Sequence, residues 1–213
     1  MTESLAVVLT LVLSYLAGSF PSGIVYGRLF RGVDVREVGS GKTGATNVLR
    51  TLGPRFAIAV GATDIVKGLL PVLLALWLVG TPLAAVAAGF GAIAGHNWSI
   101  FLGFSGGRGV ATSVGAFLPL APVPALVAIA AFVGVVAITR YVSLGSVVAA
   151  LTALATFLLT GLLGTPYPSE YYVFTTAGAV LLVIRHADNL ARLRAGTERK
   201  LGDPAGPART RPR

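Results

Sequence analysis

Between Gly109 and Thr139 the chain runs for 31 residues without a charged side chain, with Pro119, Pro122 and Pro124 near the middle. Such a run has no solvated face to offer water, so it belongs in a bilayer, as one long span or two short ones. Of 213 residues, 54% are hydrophobic and 12% charged, about half the roughly 25% charged share of an ordinary soluble domain. Mean hydropathy is +0.80. Cysteine is absent, which removes disulfide frameworks and thiolate metal sites.

Charge parity chooses between one span and two. Further apolar runs cover residues 5–30, 56–79, 83–102, 142–163 and 171–185. With two spans in the 109–139 run, every Lys and Arg outside the membrane segments falls on one side. With one span, the basic segment after Arg185 faces the other way, against the positive-inside tendency. The fold class read from the chain is an all-α polytopic membrane protein. It has seven transmembrane helices, the N-terminus outside and the C-terminus cytoplasmic. Glu3 before the first run, with Arg28 and Arg31 after it, is the flank of such a span rather than of a cleavable signal peptide. The net charge of +9 then reflects topology, and no nucleic-acid partner is expected. Each half of the long run is about 15 residues, or ~22 Å of helix against a ~30 Å core, so short helices are expected there.

Two polar interruptions lie within the spans. Gly18-Ser19-Phe20-Pro21-Ser22-Gly23 predicts a kink or break in the first span. A break survives in lipid only where other groups take up the freed carbonyls. It is either a plain kink or part of a site. Asp64 and Lys67 share a face of the second span at i, i+3. They read as a structural ion pair docking that span, with a substrate contact as the alternative.

Parity also gathers three polar clusters on the cytoplasmic side: GSGKTGATNVLR at Gly39–Arg50, GHNWSIFLGFSGGRGVAT at Gly95–Thr112, and IRHADNLARLRAGTERK at Ile184–Lys200. Hydroxyls, amides and guanidinium groups spaced by glycine are poor core and good surroundings for phosphate. Gly106-Gly107-Arg108-Gly109 is either an anion site opening a span or a tight turn with a positive-inside arginine. Gly39-x-Gly41-x-x-Gly44 lacks the strand that gives a dinucleotide fingerprint its meaning, and Gly41-Lys42-Thr43 has Arg36 where a Walker A loop needs glycine. Neither His96 nor His186 has an aspartate five residues on. Asp34, Glu37, Asp188, Glu198 and Asp203 are scattered, so no metal site and no cofactor are expected. Arg192, Arg194 and Arg199 read as lipid-headgroup contacts, and residues 202–213 as a basic disordered cytoplasmic tail.

These ordered motifs resemble the bacterial acyl-phosphate:glycerol-3-phosphate acyltransferases, the PlsY family. The resemblance rests on GSFPSGIVYGR at Gly18–Arg28, DVREVGSGKTGATNVLR at Asp34–Arg50, GHNWSIFLGF with GGRGVAT up to Thr112, YVSLGS at Tyr141–Ser146, and RHADNLARLRAGTE at Arg185–Glu198. It implies that residues 1–201 form one transmembrane acyltransferase domain in the inner membrane, with its site on the cytoplasmic face. The enzyme would move a fatty acyl group from acyl phosphate to the 1-hydroxyl of glycerol 3-phosphate, giving lysophosphatidic acid and phosphate. Membrane lipid is its surroundings, and a monomer is expected to suffice. Lys42 stands where the family usually has Asn, and Ser105 and Arg108 stand where it has lysines.

An acyl phosphate is an activated anhydride with a good leaving group, so the protein needs no covalent nucleophile. It must position two phosphates, aim a hydroxyl at the carbonyl carbon and donate to the developing oxyanion. Lys42, Arg50 and Arg108 are expected to neutralise phosphate, and Ser40, Thr46, Asn47 and Ser146 to donate hydrogen bonds. Ser40, Arg50, His186 and Asn189 are the expected catalytic set, with His186 and Asn189, by resemblance, orienting glycerol 3-phosphate. Gly39, Gly41, Gly44, His96, Gly106, Gly107 and Glu198 are expected to support them. The base stays open among His186, His96 and the substrate's own phosphate. A transporter of a phosphorylated small molecule is the rival reading.

Overall fold

The computed structural model describes residues 2–206, and every regular element in that range is helical. The helices are α1 Glu3–Gly18, α2 Ser22–Arg31, α3 Ala45–Leu52, α4 Pro54–Leu78, α5 Pro82–Asn97, α6 Val110–Phe117, α7 Pro122–Thr139, α8 Val142–Leu162, α9 Ser169–Arg185 and α10 Ala187–Arg194. Proline opens α4, α5 and α7, where its missing N–H would have been unpaired anyway. Four segments are long and apolar enough to cross a membrane: Glu3–Arg31, Pro54–Leu78, Pro122–Thr139 and Val142–Leu162. Their outer faces are lipid-like, with Trp77 79% and Ile138 85% exposed. In water, so many large apolar side chains facing outward would drive aggregation.

The 109–139 run divides at its prolines, but not into equal halves. α6 has only 8 residues and α7 has 18, because the chain turns through Leu118–Ala121 before Pro122 can start a new helix.

α5 is the central helix, with small residues on nearly every face. A Cβ added at Gly91 or Gly95 would lie 2.5 Å from Leu11 O or 2.2 Å from Tyr15 O, so the α1 and α5 backbones meet only because these positions are glycine. Small residues four apart permit that approach in lipid, where packing has to replace the hydrophobic drive. Phe117, Leu120, Phe157 and Phe174 close the main core around α5. Ile24, Val35, Val48 and Val60 form a second core that fixes α2 and α3 to α4.

The first span breaks between α1 and α2 as predicted, and the freed groups are satisfied from elsewhere. Lys67 Nζ donates to Phe20 O at 3.0 Å and pairs with Asp64 Oδ1 at 2.8 Å. Ser22 Oγ donates to Asp64 Oδ1 at 2.6 Å, and Ser99 Oγ donates to Ser19 O at 2.6 Å. The ion pair therefore ties α4 to the break, which is the docking role expected of it.

Candidate active site

A cavity of about 930 Å³ opens between α3, α6, α7, α8, α9 and α10, polar at one end and apolar at the other. Its lining includes Gly39, Ser40, Lys42, Gly44, Thr46, Asn47, Arg50, His96, Arg108, Ser146, His186, Asn189 and Glu198. Three sequence-distant clusters thus meet at one place. Gly41 and Gly106 lie instead on a neighbouring polar cavity of about 400 Å³, which Ser40 and Lys42 share. Gly107 lines neither cavity.

The glycine-rich stretch is half loop and half helix, since Thr46, Asn47 and Arg50 lie in α3. Asn47 was expected to donate to phosphate, and its partners assign it other work. Its Nδ2 lies 2.7, 3.1 and 3.0 Å from the carbonyls of Val35, Val38 and Lys42, and its Oδ1 accepts from Ser40 N–H at 2.9 Å. With donors and acceptor engaged and the residue buried, Asn47 shapes the loop that carries Ser40. Gly39 is held beside it at φ +66°, where a Cβ would collide with Asn47 Oδ1. Ser146 lines the cavity, where its hydroxyl donates to Val142 O at 2.8 Å inside its own helix.

Gly106 and Gly107 were expected to turn their N–H groups toward an anion. Gly107 N–H instead donates to His96 O at 3.2 Å. A Cβ at Gly107 would overlap the His96 ring, so this glycine allows the loop to close over α5. Arg185 Nη2 donates to Gly107 O at 2.6 Å from the other side.

Arg108 follows them and is the exception among the arginines here. It makes no hydrogen bond or ion pair among the described residues. Burial, and then the nearby Arg192, push its pKa down to about 10. It stays charged at neutral pH, and a partly buried, unpartnered guanidinium is a receptor for an anion. Arg50 is also depressed, by burial first and by Arg199 second. Its Nη2 reaches Arg199 O and Lys200 O only at 3.5 and 3.4 Å, and its Nε is buried without a partner.

Glu198 ties the third cluster together. Its Oε1 accepts from Asn189 Nδ2 at 2.5 Å and Ser143 Oγ at 2.8 Å, and its Oε2 accepts from Arg192 Nε at 2.7 Å. Burial resists the charged form, yet these donors, Asn189 foremost, hold the carboxylate below its ordinary range. Asn189 is thereby fixed with its Oδ1 buried and unpaired. Ser143 went unrecognised in the sequence, and Arg192 was read only as a headgroup contact. The available signal was spacing: Ser143 is three residues from Ser146, and Arg192 three from Asn189, each on a shared helical face. Arg192 and Arg199 line the cavity, which corrects their reading as headgroup contacts.

Residues beyond α10 return across this end. Leu201 N–H donates to Arg140 O at 2.7 Å, and Gly39 N–H donates to Gly206 O at 3.0 Å. Gly206, within the segment expected to be disordered, thus meets the loop that carries Ser40. The expectation for 207–213 lies outside the described residues.

His186 is buried, and its Nδ1 lies 2.9 Å from Leu182 O. A carbonyl only accepts, so Nδ1 carries the proton and Nε2 is left as an acceptor. Burial, opposed by that hydrogen bond and reinforced by Arg108, lowers the pKa from 6.5 to about 4. The unfolded chain therefore takes up a proton that the folded protein refuses. The stability contribution of neutral His186 is complete above pH 6.5 and declines as pH falls toward 4. Melting temperatures of wild type and His186→Asn across pH 4–8 check this, because the asparagine variant should lose less stability over the acid window. His96 Nδ1 stands 3.6 Å from Asp64 Oδ1, too far for a hydrogen bond.

Comparison with known proteins decides the family. The glycerol-3-phosphate acyltransferase family model matches residues 8–196. The chain belongs to that family. Glycerol-3-phosphate acyltransferase 2 of Moorella thermoacetica is 48% identical over 92% of this chain and 97% of its own. The Geobacter sulfurreducens glycerol-3-phosphate acyltransferase is 44% identical over 88% and 93%. Among solved structures, the glycerol 3-phosphate form of PlsY, an integral membrane glycerol 3-phosphate acyltransferase, superposes with TM-score 0.84. It shares 35% identity and covers 92% of this chain and 96% of that one. A lysophosphatidic acid form matches with TM-score 0.81 at 33% identity. As a member of the acyltransferase family and an integral membrane protein, the chain leaves the transporter reading without support.

Proposed function

We propose that this protein transfers an acyl group from acyl phosphate to the 1-hydroxyl of glycerol 3-phosphate. It does so as a seven-span inner-membrane enzyme with its N-terminus outside and its site facing the cytoplasm. The observation that carries the reading is the partly buried, unpaired Arg108 at the junction between a cluster of polar donors and an apolar groove. One end suits phosphate and the other a fatty chain.

Arg50, Arg108 and Lys42 neutralise the two phosphates, and the Ser40 and Thr46 hydroxyls donate to them. The Asn189 Oδ1 and His186 Nε2 acceptors hold the glycerol hydroxyls, so that one is aimed at the acyl carbon. The hydroxyl oxygen bonds to that carbon, the carbon–oxygen bond to phosphate breaks, and phosphate leaves with the electron pair. His186, with its pKa near 4, is a weak base. A phosphate monoester group with a second pKa of about 6 is the better acceptor of the hydroxyl proton.

The test uses purified protein with glycerol 3-phosphate and either acyl phosphate or acyl-CoA. Equal yields of phosphate and lysophosphatidic acid are expected from acyl phosphate alone, and consumption of acyl-CoA would overturn the donor. Arg50→Ala and Ser40→Ala are each expected to abolish transfer in folded protein, and near-wild-type turnover in either rejects its role. Because the chain has no cysteine, single cysteines at Thr81 and Thr197 test orientation. Only the first should react with an impermeant maleimide added outside intact cells.

A further inference from the structure

The apolar end of the cavity has a definite depth. Its walls are Ala149, Ala150 and Ala153 on α8, Gly178 and Phe174 on α9, and Phe117 on α6. From Val142 to Ala153 along α8, and from His186 back to Phe174 along α9, the helical rise gives ~16–18 Å. The middle is open: a Cβ added at Gly178 meets no atom within 4 Å.

The far end is blocked. Phe117 and Phe174 are buried members of the main core. One turn beyond Ala153, the fully buried Phe157 ring stacks on Tyr167 at 4.3 Å. It also meets Tyr172 edge-on at 4.9 Å, and Phe117 lies 6.1 Å away. Phe174 is braced edge-on by Phe90 at 4.9 Å. Rings locked against one another this way yield little space to an incoming chain.

Resting on the acyl-transfer reading above, we propose that this aromatic end wall, together with Ala153 and Gly178, sets the length of acyl chain the enzyme accepts. An extended chain advances ~1.25 Å per methylene, from a C–C bond of ~1.52 Å and an angle near 111°. A groove ~17 Å deep then holds about 14 carbons beyond the reacting carbonyl. Longer chains must bend out between the helices toward lipid. Ala153 borders the wall, and Gly178 lies only ~12 Å from His186 by helical rise, so a side chain there shortens the groove to about 9–10 carbons.

The experiment measures kcat/KM of the purified full-length protein with glycerol 3-phosphate and saturated acyl phosphates of 8 to 18 carbons. Ala153→Phe and Gly178→Leu are compared with wild type. The ratio of 10-carbon to 16-carbon efficiency should rise at least tenfold in both variants, and the preferred length should fall further in Gly178→Leu. Replacing a helical glycine with leucine favours the helix, so this variant also guards against misfolding at Ala153. An unchanged ratio, or equal loss at every chain length, overturns the proposal. A wild-type protein that consumes no acyl phosphate of any length sinks the donor assignment itself, and the length determinant with it.

Discussion

Arg108→Ala is expected to lower kcat/KM by about two to three orders of magnitude, the usual effect of losing one preorganised donor to a charged transition state. The same change should leave the melting temperature unchanged or raise it. The guanidinium is partly buried and makes no hydrogen bond or ion pair among the described residues, so in the ligand-free protein its charge contributes little to stability. Loss of function with retained or improved stability distinguishes an anion receptor from a structural arginine, whose removal would lower both. Arg108→Lys should recover part of the rate, because it keeps the charge and loses the forked geometry. Near-wild-type kcat/KM in Arg108→Ala would remove the residue from phosphate recognition.

Lys67→Met is expected to have the largest effect on stability. It leaves buried Asp64 with only the Ser22 hydroxyl and the more distant His96 ring, and it removes the donor to Phe20 O where the first span is broken. Breaking a buried pair from one side costs ~3–5 kcal/mol, a large part of the ~5–15 kcal/mol that holds a protein folded. The neutral pair Asp64→Asn with Lys67→Met should regain much of that loss, since no charge is then stranded. Unfolding in detergent followed for the three proteins gives the comparison. A Lys67→Met protein within about 1 kcal/mol of wild type would mean that the pair does not hold the break together.

These two residues were read from the sequence with opposite success. Asp64 and Lys67 are three apart on one helix, so their pairing is a local property, and the structure has it. What they pair for was not local: the Phe20 carbonyl is 47 residues from Lys67. Arg108 was picked out by its glycine neighbours, yet Gly107 acts by closing over His96 rather than by offering its N–H. Asn47 had the right chemistry for phosphate and the wrong availability, because its donors were already engaged. Ser143 was missed and Arg192 misread because both are tied to the site through Glu198, 55 and 6 residues away.

Taken alone, the sequence determined that the chain is helical and lipid-embedded, where the first span breaks, and which three polar segments gather at the cavity. All of these follow from the cost of charge in hydrocarbon and from backbone constraints acting within a few residues. Only the tertiary structure decided which donors stand free, which are consumed in shaping loops, and how deep the apolar groove runs. Hydrogen-bond partners and the aromatic end wall are supplied by residues far apart along the chain, and no local pattern records what a side chain meets after folding.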